Sequence, residues 1–294
     1  MDHIRARFLA LCITHQYVTL PADETVQLHK ELDNYLKLGD PKLSEVDFMS
    51  LCEMLFYLKV LVNDDIEAEV VYRRISDRLG ENSPKMHVMK ATLLQITEGD
   101  LKAVTYLKRL RDEVLEFDTD SADYLFIEKK ILAIERATLS QEVYIGKMLS
   151  LLEKFPLDGE LWWALASEYS SIGQFDKAAY CLEEVIVIAP FAYNVFAKLG
   201  EVLYYSATCG KKLNKVVLQE ALDNCLRAVE LSETCLKAWS FIAVISDKLK
   251  KRELSDLSCR KLKEIELTGN PQDIETARFI LDSLRGTVGK KSVV

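Results

Sequence analysis

The sequence predicts an all-α solenoid of helix pairs stacked one upon the next. Three observations predict it. Pro and Gly are scarce, 6 and 11 in 294 residues, whereas folds rich in strands use both heavily at turns. Apolar residues recur at helical spacing: Trp162, Leu165, Ala166 and Tyr169 stand at offsets 0, 3, 4 and 7, on one helix face. The pattern then returns at a fixed interval, with Pro156 lying 34 residues before Pro190 and Phe196 lying 34 after Trp162.

The clearest unit occupies 159–192. Its first stripe ends at Ser171-Ile172-Gly173-Gln174, its second runs through Ala178, Leu182 and Val185, and Pro190 closes it. W-x2-L-[GA]-x2-Y followed by A-x3-[FYL] and a closing Pro is the tetratricopeptide (TPR) pattern. Each residue has a mechanical use. Ala166 and Ala178 are small where two helix backbones approach, Trp162 and Tyr169 fill the space between pairs, and Pro190 cannot continue a helix. Burial of Trp162 predicts a cost of about 3–5 kcal/mol for Trp162→Ala.

The other elements follow by phase. Two leading helices, near 3–17 and 22–38, form an N-terminal cap (1–43) that ends at Gly39-Asp40-Pro41. The solenoid proper spans 44–267 in six pairs. The earliest carries Phe56 with Ala68, Tyr72 and Ile75, turning at Asn63-Asp64-Asp65. The next carries Ala91 and Leu94 with Ala103, Leu107 and Leu110, turning at Glu98-Gly99-Asp100. A degenerate pair carries Leu132 and Glu135 with Tyr144, Met148 and Leu151, and the 159–192 unit follows it.

In the unit at 193–235, Phe196, Leu199-Gly200 and Leu203 hold the register, but the small residue of its second helix arrives late, at Ala221 with Cys225 and Ala228. That implies a nine-residue insertion, read as a basic loop at Thr208–Val216. Trp239 then stands 43 residues after Phe196, one period plus the insertion, and opens the unit at 236–269, with Ala243 and then Ser255, Cys259 and Leu262. A capping helix (268–285) and a flexible tail (286–294) complete the expected organisation. No change of composition marks a second domain.

Composition narrows the function. The formal charge of −8 and pI near 5.3, with no block of five or more Lys/Arg, argue against nucleic acid or anionic lipid as the main partner. The seven cysteines (Cys12, Cys52, Cys181, Cys209, Cys225, Cys235, Cys259) are an odd number, at least ten residues apart, without a C-x-x-C. They fit a reducing compartment better than a disulfide framework or a zinc site. No N-x-[ST] sequon occurs. Phe8–Ile13 after Arg5 and Arg7 is too short for a signal-peptide core and stops at Thr14-His15-Gln16. No segment approaches the roughly 20 apolar residues of a membrane span.

No catalytic constellation is found: no G-x-G-x-x-G, Walker A, H-E-x-x-H or G-x-S-x-G motif. Gly286-Thr-Val-Gly289-Lys290-Lys291 has the wrong spacing for a phosphate loop, and His3, His15, His29 and His87 are scattered. Asp64-Asp65 and Asp118-Thr119-Asp120 begin expected helices, where Asp caps free N–H groups rather than holding metal. The chain is therefore read as a non-enzyme without cofactor or metal. A stack of helix pairs makes a long groove suited to peptides, helices or other subunits.

First-helix positions 2, 5, 9 and 12 of a TPR line its concave face. They project Phe126, Lys129 and Arg136; Glu160, Trp163 and Ser167; Asn194, Glu201 and Tyr204; and Lys237, Val244 and Lys248. The partner-binding candidates are Phe126, Lys129, Arg136, Trp163, Asn194, Tyr204, Lys237 and Lys248. Trp163 is informative because Trp162 already occupies the packing position, leaving its neighbour as a partner anchor or as packing against an adjacent helix. Lys129, Asn194, Lys237 and Lys248 make only a thin version of a carboxylate clamp, which Glu160 and Glu201 oppose. The structural TPR residues are Trp162, Ala166, Tyr169, Ala178, Pro190, Gly200, Ala221 and Trp239.

Segments outside the TPR consensus carry a more specific likeness. Asp158–Trp162 with Phe175–Glu184, Asp77–Ser83, Met89–Gln95, Phe155–Asp158, Met54–Tyr57 and Leu203–Tyr205 resemble the subunit 2 family of the endoplasmic reticulum (ER) membrane protein complex, its fungal members in particular. The resemblance runs from about residue 45 to 265. It implies a cytosolic scaffold without a membrane span, peripheral to the ER through partner subunits. In that family the TPR domain cups the cytosolic parts of membrane-embedded subunits in a complex that inserts tail-anchored and multi-pass proteins. The competing reading is a free-standing TPR adaptor or co-chaperone binding peptides in its groove.

Overall fold

The computed structural model describes residues 2–116, 118–210, 212–269 and 271–290. Among the described residues all regular structure is helical: fifteen α-helices and one 3-10 turn, without a strand. This is the α-solenoid class that the spacing predicts. The chain divides into two compact units, one ending at Leu139 and the other beginning at Ser140. Composition carries no sign of this division, because a stack of nearest-neighbour pairs has the same apolar pattern on either side of any boundary. The degenerate pair read at 132–151 straddles it.

The first unit comprises α1 (Asp2–Thr14), the 3-10 turn Gln16–Thr19, α2 (Ala22–Leu38), α3 (Glu45–Leu61), α4 (Asp65–Leu79), α5 (Pro84–Glu98), α6 (Asp100–Val114) and α7 (Ala122–Glu135). Ser hydroxyls start three of these helices by accepting a backbone N–H: Ser44 from Asp47, Ser83 from Met86 and Ser121 from Tyr124. Pairs α3–α4 and α5–α6 pack on each other, with α2 against α3 and α7 against α6. Phe8, Leu32, Leu51, Phe56, Ala68 and Ile75 belong to one buried cluster, and Ala91, Ala103, Leu107, Ile127 and Ile131 to another.

The expected Asp caps are corrected here. Ser121, not Asp118 or Asp120, caps α7. Asp64 holds the N-cap position of α4 without a side-chain cap bond, because its carboxylate lies 3.4 Å from the Lys59 ammonium. Lys59 is 3% exposed, with Glu67 at 3.8 Å and His29 Nε2 at 3.3 Å. An ammonium this buried needs its counter-charge more than the helix needs its cap.

The second unit comprises α8 (Gln141–Lys154), α9 (Gly159–Ser171), α10 (Phe175–Ile188), α11 (Tyr193–Cys209), α12 (Lys215–Leu231), α13 (Leu236–Leu249), α14 (Arg252–Thr268) and α15 (Pro271–Lys290). The pairs are α9–α10, α11–α12 and α13–α14, joined through α10–α11, α12–α13 and α11–α13. Two indole groups mark the common phase. Trp162 Nε1 donates to the Pro156 carbonyl at 2.8 Å, and Trp239 Nε1 to the Glu233 carbonyl at 2.7 Å, each six residues back. Each bond ties a first helix to the connection that precedes it.

Small residues set the closest approaches. Ala166, Ala178 and Ala221 are buried. A Cβ built on Gly200 would meet Cys225 Sγ at 2.3 Å and the Ala221 carbonyl oxygen at 3.0 Å. Pro190 is exposed in the turn between α10 and α11.

Three expectations differ from what is found. Thr208–Val216 is not one loop: Thr208 and Cys209 end α11, and Lys215 and Val216 begin α12. Relative to the preceding unit, α11 is four residues longer than α9 and α12 three longer than α10, so the insertion mostly extends helix. Asn214 supplies the new N-cap, accepting from the N–H groups of Val216 and Val217. The tail expected from Gly286 is helical through Lys290, as the last part of α15, and 291–294 lie outside the described residues. Trp162 is half-buried, its ring edge-on to Tyr180 at 6.1 Å, whereas Trp239 is 6% exposed.

Two stability outcomes follow. Gly200→Ala is expected to destabilise by about 1–3 kcal/mol through overpacking, despite the gain in helix propensity of up to about 1 kcal/mol. Adding Cys225→Ala should restore part of the loss. A urea midpoint for Gly200→Ala at or above the parent value would refute the close approach. Trp239→Ala is expected to cost about 3–5 kcal/mol and Trp162→Ala clearly less, because a half-buried ring gives up less on truncation; equal losses by urea titration would contradict this ranking.

Candidate partner-binding surface

In the second unit α11 and α13, the first helices of consecutive pairs, lie side by side. Their facing stripes are Lys198, Glu201, Tyr204, Tyr205 and Thr208 on α11, and Lys237, Phe241, Val244 and Lys248 on α13. The steps of three and four keep each set on one helix face. Contacts between the stripes ascend together along both helices, as parallel helices require. Glu201 pairs with Lys237 at 3.0 Å, the Tyr204 and Tyr205 rings lie 5.5 and 6.3 Å from Phe241, and Lys248 Nζ sits 6.0 Å from the Tyr204 ring centre. Phe175, at the start of α10, extends the floor by stacking on Tyr205 at 6.0 Å and 26°. Beside it Ser206 donates to Asp176 at 3.2 Å.

The floor is aromatic and half-open to solvent, and the rim is cationic. Tyr205 is 43% exposed, while Tyr204, Phe241 and Phe175 are half-buried. Burial pushes the Tyr204 phenol above its ordinary value. At one end Glu201 accepts from Lys237 and lies 3.2 Å from Lys198. Burial alone would raise its carboxyl, but the hydrogen bond and charge of Lys237, together with Lys198, more than offset this and hold it below the usual carboxylate value. Two ammonium groups thus share one carboxylate. At the other end Lys248 makes no ion pair among the described residues and lies against the face of Tyr204.

The structure brings together three of the sequence-derived candidates: Tyr204, Lys237 and Lys248. Asn194 is exposed at the start of α11, and Trp163 is half-buried on α9 without a ring contact to this cluster. Phe126 is 40% exposed on α7, Lys129 is half-buried on the same helix and Arg136 is its C-cap; all three belong to the first unit. Lysines for a carboxylate clamp are present, but Lys237 is already neutralised by Glu201. Position counting missed Tyr205, Phe241 and Phe175. The steps from Lys237 to Phe241, Val244 and Lys248 could have found Phe241.

No group of three or more His, Cys, Asp or Glu among the described residues is placed to hold a metal ion. No described helix is long and apolar enough to cross a membrane.

This arrangement defines a class: a TPR-type α-solenoid presenting an aromatic stripe on its first helices. Solved structures agree on the fold. The C-terminal part of a TPR repeat-containing protein from Cytophaga hutchinsonii matches with a TM-score of 0.52 at 12% identity, over 92% of this chain and 98% of that one. The MamA RS-1 ArsTM double mutant matches with 0.51 at 13% identity, over 65% and 98%. No protein-family model matches the chain.

The curated relatives are more specific. ER membrane protein complex subunit 2 of Saccharomyces cerevisiae is 45% identical over 289 residues, 96% of this chain and 99% of that protein. TPR repeat protein oca3 of Schizosaccharomyces pombe is 25% identical over 82% of this chain and 79% of its own length. The subunit 2-A protein of Xenopus laevis is 32% identical over 97 residues. The chain belongs to the ER membrane protein complex subunit 2 family.

The Glu201–Lys237 pair yields a pH test. A carboxyl held below its unfolded-state value contributes stability that is present at neutral pH and lost as pH falls through the folded value. Glu201→Gln is therefore expected to be less stable than the parent at pH 7, and the gap in urea midpoint should close as pH is lowered through the carboxylate range. A gap that stays constant down to pH 3 would show that the charge of Glu201 is not what the lysines use.

Proposed function

We propose that this protein is a non-catalytic scaffold subunit of the ER membrane protein complex. It sits on the cytoplasmic face, is attached to the membrane through partner subunits, and holds their cytosolic parts so that the complex can insert tail-anchored and multi-pass proteins. The observation that carries this reading is the 45% identity extending over 99% of the length of a subunit bearing that name. Likeness on this scale covers both units rather than the TPR consensus alone. The half-open aromatic floor between α11 and α13 supports it, since Tyr-rich surfaces with flanking charge are what protein interfaces use. Phe126, Lys129 and Arg136 on α7, with Trp163 and Asn194, belong to the same proposed partner-binding set.

The test is affinity purification of the tagged full chain from a detergent extract of ER membranes. Membrane-embedded subunits should be recovered with it in stoichiometric amounts, and its deletion should lower insertion of a tail-anchored reporter. Recovery only from the soluble fraction, in company with chaperones, would overturn the scaffold reading in favour of a free adaptor.

A further inference from the structure

We infer that the floor between α11 and α13 receives an amphipathic segment of a partner protein whose apolar side chains are flanked by carboxylates. The inference rests on the scaffold reading above and specifies the chemistry of one seat on that scaffold.

The floor asks for apolar atoms. Tyr204, Tyr205, Phe241 and Phe175 contact one another, yet Tyr205 leaves 43% of its surface in water. Val244 continues the α13 stripe toward Lys248. A segment laid along the two stripes would remove these ring faces from solvent.

The rim selects the sign of the flanking charge. The two stripes carry Lys198, Lys237 and Lys248 against the single carboxylate of Glu201. Lys248 rests on a ring face and is free to turn toward an anion. On the neighbouring elements, Asp176 already accepts from Ser206, and Lys177 sits over the Tyr169 ring at 5.2 Å. Asp247 precedes Lys248, but successive helix residues point about 100° apart. A basic segment would meet net positive charge at both ends of the floor, from the one ammonium that Lys198 and Lys237 hold in excess of Glu201 at one end and from Lys248 at the other; an acidic one would meet a counter-charge at each. A bilayer surface fits poorly, because the chain as a whole carries −8 and anionic lipid repels it.

The experiment places a photo-crosslinking phenylalanine analogue at Tyr205 in the full chain, expressed in cells as the sole copy. Adducts are mapped by mass spectrometry. A second chain carries the analogue at Tyr180, 54% exposed on α10, as a control for position. The expected adduct at 205 is a protein segment bearing apolar residues and net negative charge. Lys248→Glu should lower its yield by about fivefold, and Lys248→Arg should preserve it. Unchanged circular dichroism would show that the variants fold. A lipid adduct, a basic segment, an adduct only within this chain, or a yield indifferent to Lys248→Glu would overturn the inference. The scaffold reading would survive any of these results if membrane subunits still co-purify, so the two failures are distinguishable.

Discussion

The second unit depends on how closely α11 approaches α12. At Gly200 the two backbones come so near that a single added carbon would sit 2.3 Å from Cys225 Sγ. Ala221 and Cys225, both buried, complete the contact. Small residues at this contact permit the approach, and the approach fixes how one helix of the pair is rotated against the other. That rotation decides which stripe of α11 is left to face α13. Were the pair wider apart or turned by one residue, Tyr204 and Tyr205 would not point at Phe241, nor Glu201 at Lys237. The aromatic floor is thus set by a contact on the adjoining face of the same helix, one turn before Tyr204.

The indole bonds play a complementary part. Trp162 and Trp239 each tie a first helix to the carbonyl six residues before it, which fixes the helix start against the preceding turn. Phe196 occupies the corresponding position of the intervening unit and has no N–H to donate, and that unit is also the one carrying nine extra residues. The extra length does not disturb the phase of Trp239, because it is absorbed as added turns of α11 and α12 and a slightly longer connection. Extending two antiparallel helices together leaves their contacts below the extension unchanged.

Much of this was legible in residue spacing, for a physical reason. Helix periodicity and small-residue positions are local properties, so the helical class, the small contact residues and the placing of Tyr204 and Lys237 could be counted out from one well-marked unit, whereas Lys248 stands one residue past the counted position. What could not be counted depended on neighbours in space. Asp64 reads as a helix cap until the buried ammonium of Lys59, on another helix, claims its carboxylate. Trp162 and Trp239 stand at the same position, yet one is half-buried and the other nearly enclosed. Phe175 joins the floor only through the packing of α10 on α11, and the division after Leu139 leaves no trace in composition because it separates elements of the same kind.

The charge pattern of the floor separates holding from steering. Glu201 is mostly enclosed and shared by two lysines, so its interactions are screened little by salt and serve the register of α11 and α13. Lys248 is exposed and tied only to a ring face, so it contributes little to stability and remains available. A surface that neutralises the charge it needs for its own packing, and leaves unpaired one that it does not, is biased toward a partner of opposite sign. The aromatic floor would supply most of the affinity by losing water. The rim would supply the choice among apolar segments, by making those with basic flanks repulsive at both ends.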